Sequence, residues 1–376
     1  RPRTLLAPAR IVRPEGAPRL VREAQNHFFT CVVHFTDSPC VMPDTYKKLV
    51  ATQRSPDFRA AAEVVEEPIP EPGPHEVVVR NWYAGVNATD VNITAGRYAP
   101  GAEPPFDLGA EAAGEVVAVG RDVKHLQAGD AVVTSTLGGG YREYNCVRAS
   151  NAYKVSEPTP EALSIMVSGL TASIALQEVA DVEADDVVLV TAAAGGTGQY
   201  AVQLAKRNGH HVIGTCGTDE KVALLNDLGC DRPINYREED VRAVLEREYP
   251  DGVDLVYEGV GGKLFDTCVD ALAVHGQLLT IGYVSEYVDG PKPVTRPRIY
   301  TKLLGKSASI HGFFLPQFAM YFGEHLRHLM ELLHREDLHV AIDGRTFQGI
   351  ASIPDAVEHL HSGQSQGKVV VQLNGT

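Results

Sequence analysis

An α/β chain, with a β-rich unit followed by a doubly wound parallel sheet, is expected from three observations. Residues 46 to about 155 read as short alternating strands separated by Pro and Gly clusters. After Pro158-Thr159-Pro160 the period changes, and apolar strands alternate with amphipathic helical stretches, the pattern of parallel βαβ units. The third observation is a glycine-rich turn, Ala194-Gly195-Gly196-Thr197-Gly198, placed between the first of those strands and the first helix.

The 376 residues suggest two domains, and 44% hydrophobic against 22% charged side chains is globular composition. A net charge of −14 repels a phosphate backbone, which argues against nucleic-acid and anionic-membrane binding. No uninterrupted apolar run reaches the roughly 18 residues of a membrane span. Cys31, Cys40, Cys146, Cys216, Cys230 and Cys268 form neither a CxxC pair nor a clustered set of zinc ligands. Reduced thiols of this kind fit an intracellular, cytoplasmic enzyme.

Residues 1 to 41 differ from the rest, with six Arg, no Lys and only Glu15, Glu23 and Asp37 as acids. Two readings stay open. One is an organelle transit peptide, mitochondrial placement included, although the acids and prolines interrupt an amphipathic helix. The other is an atypical extension ahead of a natural start at Met42.

In the β unit the strands are "YKKLVATQ", "EVVVRNWYAGV", "GEVVAVG", "DAVVTST" and "YREYNCVRA", divided by the Pro70–Pro74 segment, by Pro104-Pro105 and by Gly138-Gly139-Gly140. The parallel sheet is expected to use Val187 to Thr191, His211 to Thr215, Pro233 to Tyr236, Val253 to Glu258, Gln277 to Gly282 and Ser307 to Gly312. Between them "GQYAVQLAKRNG", "TDEKVALLNDLG" and "REEDVRAVLEREYP" have helical spacing and stop at Gly or Pro. A helix from Tyr321 to Arg335 follows, with His325, His328 and His334 on its wet face. The late strand "GKVVVQL" is expected to return to the β unit.

The turn at Gly195, Gly196, Thr197 and Gly198 follows a buried strand and opens a helix, the context in which backbone amides approach a pyrophosphate. An NAD site carries an acid about 20 residues later, at the end of the second strand. Here that position reads Ile213-Gly214-Thr215, and the following loop brings Gly217 and Lys221, with Tyr236 ending the third strand. A cation and a phenol in place of a carboxylate point to a 2′-phosphate, hence to NADPH.

With "AGVNATDVNITAGRY", "FDLGAEAAGEVVAVG", "AAAGGTGQ" and "INY" in order, residues 46 to 372 resemble the medium-chain dehydrogenase/reductase superfamily, in its quinone oxidoreductase and enone reductase branch. The resemblance implies a GroES-like catalytic domain split between 42–165 and 316–376, an NADP-binding Rossmann domain at 166–315, a cleft between them and a homodimer. Zinc members hold their metal with a Cys in the first motif and a His-Glu pair in the second. Asn87 replaces that Cys and Ala110 precedes Glu111, so no metal site is expected. The chain ends Leu373-Asn374-Gly375-Thr376, without a peroxisomal Ser-Lys-Leu signal.

The chemistry implied is NADPH-dependent, zinc-independent reduction of the carbon–carbon double bond of α,β-unsaturated ketones, with 15-keto-prostaglandin-like lipids as substrates. A quinone oxidoreductase and a cofactor-binding protein with little turnover are the alternatives. Tyr98 stands where related enoyl reductases place a proton donor, and Asn87 could bond the nicotinamide ribose or the substrate carbonyl. Thr89 and Asp90 are read as caps of the helix that follows. Gly259, Ile281, Gly282, Tyr283 and Phe313 follow strand ends at the carboxyl edge of the sheet and are assigned to the cofactor and an apolar wall. Core packing explains Phe313 equally well. Glu258 is given no role.

Overall fold

The computed structural model describes residues 43–98, 101–294 and 297–374, so the Arg-rich segment 1–41 lies outside the described residues. The β-rich unit begins with β1 (Thr45–Ala51), β2 (Ala62–Pro68), β3 (Glu76–Gly85), β4 (Phe106–Asp107), β5 (Glu111–Val119), β6 (Ala131–Ser135), β7 (Tyr144–Arg148) and β8 (Ala152–Lys154). Alternation sets the inner face: Val77, Val79, Val116, Val132 and Val147 are buried together.

The parallel sheet follows as β9 (Val187–Val190), β10 (His211–Cys216), β11 (Arg232–Asn235), β12 (Val253–Glu258), β13 (Leu272–Thr280) and β14 (Ser309–Gly312). Its order is β11-β10-β9-β12-β13-β14, with all neighbours parallel. Val188, Leu189 and Val190 are wholly buried, as expected of a strand covered on both faces. Side-chain caps start the helices where polar residues precede them: Thr218 accepts from the Lys221 N–H and Asp240 from the Ala243 N–H.

The chain then returns. β15 (Phe347–Gln348) and β16 (Val370–Gln372) close the first sheet, whose order is β15-β16-β3-β5-β6-β8, with β7 also on β3. Gly367 of the returning segment bridges to Gly195 of the glycine-rich turn, and its N–H donates to the Ala194 carbonyl at 2.8 Å.

Several elements differ from expectation. β13 starts at Leu272 rather than Gln277, because a bulge at His275, where φ is +67°, carries the strand across a Gly that reads as a turn. β14 starts at Ser309, since Ser307 takes a left-handed conformation to end the helix Tyr300–Lys306. Among the described residues the helix Pro160–Val179 is long and apolar enough, by length and composition, to cross a membrane, although Glu161, Gly169 and Glu178 interrupt its apolar run. It is mostly buried, and it packs against helices Gly198–Arg207 and Phe322–His334 as a core helix. His325 is likewise buried rather than wet: its ring bonds Ser173 Oγ at 2.8 Å and faces Glu178 at 3.4 Å. It shares the helix face of Leu329 and Leu332, at i+4 and i+7.

Candidate active-site cleft

A cavity of about 450 Å³ opens at the carboxyl ends of β9 and β12, the switch point of the sheet. Asn87, Gly195, Gly196, Thr197, Gly198, Gly217, Lys221, Tyr236, Gly259, Ile281 and Gly282 all line it. Tyr98, Tyr283 and Phe313 do not. Phe313 is buried and stacks on Phe318 at 4.7 Å, while Tyr283 packs edge-on against Tyr287, also at 4.7 Å.

One end of the cleft is made mostly by backbone. Ala192, with φ +47°, bends the chain out of β9 so that the helix Gly198–Arg207 can begin. A side chain at Gly198 would place its Cβ 2.4 Å from the Ala192 carbonyl oxygen, so this position requires glycine. The turn 195–198 that opens this helix lines the cleft, and a helix start of this kind suits an anion. Lys221, half-buried, donates from Nζ to the Gly363 carbonyl at 2.7 Å, and desolvation holds its pKa below the ordinary lysine value. The Tyr236 phenol, 51% exposed, lies directly over Gly217.

Two buried hydroxyls on the lining, Thr215 Oγ1 and Tyr257 OH, have no hydrogen-bond partner among the described residues. Buried polar atoms are rarely left unpaired, so these fit a polar ligand such as a dinucleotide. His361 adds a third orphan, Nε2. Burial lowers its pKa, opposed by the nearby Ala88 backbone. Sequence reasoning missed all three, since an unpaired atom shows only once its neighbours are placed.

Glu258 has a role after all. Its buried carboxylate accepts from the Val260 N–H at 2.8 Å and the Gly261 N–H at 2.9 Å, and from Thr191 Oγ1 at 3.3 Å, pinning the glycine turn after β12. Burial raises its pKa against those bonds.

The other end of the cleft is made by charged side chains. Lys368, on the returning segment, donates from Nζ to Glu111 Oε1 at 2.5 Å and to Asn87 Oδ1 at 2.8 Å. Asn87 Nδ2 donates to the same Glu111 oxygen at 3.0 Å, and Glu111 Oε2 accepts the Val167 N–H at 2.9 Å. The Lys368 and Glu111 side chains are 2% and 0% exposed. Gly85 leaves room for this carboxylate: a Cβ there would sit 2.3 Å from Glu111 Oε1. The Asn87 amide is thus engaged at both ends, and Lys368, which had no sequence signal beyond its place in "GKVVVQL", completes the cluster.

This donor set does not fit a zinc ion. Thiolate and imidazole are replaced by Asn87 and Ala110, and the remaining oxygen donors already hold an ammonium.

Asp90 does not cap with its side chain. The N-cap is Thr89, without a side-chain bond, and the buried Asp90 carboxylate turns back to accept the Asn87 N–H at 2.9 Å and the Tyr141 hydroxyl. Desolvation raises its pKa to about 6. Tyr98 packs edge-on against Phe314 at 5.2 Å and lies close to Tyr287, whose own ring lines the cleft and whose phenol is pushed up by burial.

Residues 73–157 match the alcohol dehydrogenase GroES-like domain and residues 196–334 the zinc-binding dehydrogenase domain. Prostaglandin reductase-3 of Mus musculus is 46% identical over 351 residues, covering 90% of this chain and 93% of that protein. A probable quinone oxidoreductase of Leishmania amazonensis is 44% identical over 337 residues, 88% of this chain and 99% of that protein. Among solved structures, a mycobacterial protein complexed with NADPH has a TM-score of 0.76 at 31% identity, over 87% of this chain and 99% of that chain. These likenesses, together with the two-sheet architecture and the glycine-rich turn, place the chain in the medium-chain dehydrogenase/reductase superfamily, within its quinone oxidoreductase and enone reductase branch.

Proposed function

We propose that the chain is an NADPH-dependent, zinc-independent reductase of the carbon–carbon double bond of α,β-unsaturated ketones. The observation that carries the cofactor is the anion end of the cleft: Lys221 and Tyr236 flank Gly217, and Thr215 stands where an NAD site would hold a carboxylate. The amides of the Gly198–Arg207 helix start would take the pyrophosphate, Lys221 and Tyr236 the 2′-phosphate, and the Thr215 hydroxyl a ribose oxygen.

When bound, NADPH supplies a hydride from its nicotinamide ring to the β-carbon of the acceptor. Negative charge then gathers on the carbonyl oxygen, and the α-carbon needs a proton. Tyr98 does not line the cleft itself, so a proton from its phenol would reach the acceptor only by way of a neighbour such as Tyr287, which does. The likeness to prostaglandin reductase-3 supports a lipid enone of the 15-keto-prostaglandin kind as acceptor. The open edge of β14, beside exposed Leu304 and Met320, is where a second copy would pair to give the expected homodimer.

Purified protein with NADPH, and separately NADH, is mixed with a medium-chain enone, a 15-keto-prostaglandin and a quinone while cofactor absorbance is followed. Enone-dependent loss of NADPH with a saturated product is expected, with NADH poor. NADPH binding without turnover of any acceptor would sink the reading. Turnover of quinones alone, with oxygen consumed by semiquinones, would favour the second reading, which the likeness to a probable quinone oxidoreductase supports.

A further inference from the structure

We infer that the Lys368 ammonium is a catalytic cation of this cleft, a fixed positive charge that polarises the acceptor's carbonyl oxygen where a zinc enzyme would use its metal. The inference rests on the reductase reading for the identity of that oxygen. Its physical basis is the way the charge is held. Lys368 lines the cleft, whereas Glu111, which neutralises it, does not. The pair therefore forms a dipole with its positive end toward the bound molecule and its negative end behind, inside the protein.

An ammonium has three N–H donors. Two are taken by Glu111 Oε1 and Asn87 Oδ1, and among the described residues no acceptor takes the third. The geometry is stiff: Glu111 is held by the Asn87 amide and the Val167 N–H as well, so the cation does not reorganise as charge develops. Asn87, at the position of a lost metal ligand, thereby acts as a positioning residue for Lys368 rather than as a partner of the acceptor. No bond is made to Lys368 in this step. The hydride arrives at the β-carbon, the electron pair of the double bond moves toward the carbonyl oxygen, and the ammonium faces that oxygen while the proton is delivered at the α-carbon.

The test uses 4-(dimethylamino)cinnamaldehyde, a push–pull enal that absorbs at longer wavelength when its carbonyl oxygen meets a cation, added to full-length protein saturated with NADP+, from which no hydride can be transferred. Wild type should shift the probe to longer wavelength, and Lys368→Met/Glu111→Leu, which removes both charges together, should not. The same double variant should lose on the order of 10²- to 10³-fold in kcat for an enone with its Kd for NADPH little changed. Lys368→Gln/Glu111→Gln, which keeps hydrogen bonding without either charge, serves if the first double variant does not fold. An unshifted probe in wild type overturns the inference, as does a variant that keeps kcat or one that loses only NADPH affinity. A wild type that shifts the probe yet reduces no enone keeps the cation and overturns the reductase reading instead.

Discussion

The two ends of the cleft are built from different materials. The anion end comes chiefly from one stretch of chain, Thr191 to Tyr236, and works through backbone amides, an exposed phenol and a half-buried lysine. The reacting end is assembled from Asn87, Glu111, Val167 and Lys368, distant in sequence, and it buries full charges. Partial charges at a helix start stay solvated until a ligand arrives, so changing the groups around them alters binding and leaves folding largely alone. Buried ions have no water to fall back on. A change there falls on stability and chemistry together.

The largest expected effect breaks the reacting end. Lys368→Met leaves the Glu111 carboxylate buried without its counter-ion and should lower unfolding stability by about 3–5 kcal/mol in urea titrations. Adding Glu111→Leu should recover most of that loss. If the single variant is as stable as wild type, the contrast between the two ends is wrong.

Next in size is a pH effect at Asp90. Its folded pKa of about 6 lies above the ordinary 3.8, so below pH 3.8 both states are protonated and the group is neutral to stability. As pH rises from about 4 to about 6 the unfolded chain ionises first, and stability falls by about 3 kcal/mol, because each tenfold difference in proton affinity between the two states is worth roughly 1.4 kcal/mol. Asp90→Asn mimics the protonated form, since the Asp90 Oδ1 atom has no partner among the described residues. The variant should therefore show a smaller stability difference between pH 4.5 and 7 than wild type by about 2 kcal/mol, since roughly 1 kcal/mol of the loss has already occurred at pH 4.5, measured by urea unfolding at both values.

A smaller effect sharpens the contrast at the anion end. Lys221→Ala should weaken NADPH binding about tenfold, or roughly 1.4 kcal/mol, leave NADH binding unchanged and leave the unfolding midpoint near wild type. Tyr236→Phe should do the same to a lesser degree, read by fluorescence titration of each cofactor. Loss of NADH affinity in parallel would mean these residues do not read the 2′-phosphate. The smallest expected effect is none: a chelator should leave the rate of NADPH oxidation unaltered, because the metal ligands are replaced by an ammonium held on Asn87 and Glu111.

Much of this was legible in the chain. β12 runs from Val253 to Glu258 as read, and the other parallel strands overlap the expected segments, with β13 starting well ahead of Gln277, because a strand buried on both faces needs a continuous apolar run and each run here is bounded by Gly, Pro or polar residues. The glycine-rich turn, Lys221 and Tyr236 were visible because they belong to successive βα units whose geometry follows from local spacing. His325 could have been placed inside from its spacing to Leu329 and Leu332, yet a histidine on a helix reads as polar until a serine and a glutamate are found beside it.

Lys368 marks where that legibility ends. In sequence it is one lysine between Gly367 and a run of valines, and nothing local distinguishes it from a solvated end of a strand. By itself the sequence determined the two architectures, the dinucleotide turn and the absence of a carboxylate at Thr215, since periodicity and turn chemistry are local properties of the chain. Only the tertiary structure decided that Lys368 meets Glu111 and Asn87 across more than 250 residues of sequence, that Glu258 pins a turn and that Tyr98 stands behind Tyr287. Each of those depends on which side chains lose their water together, and that is settled when the returning strand closes against β3.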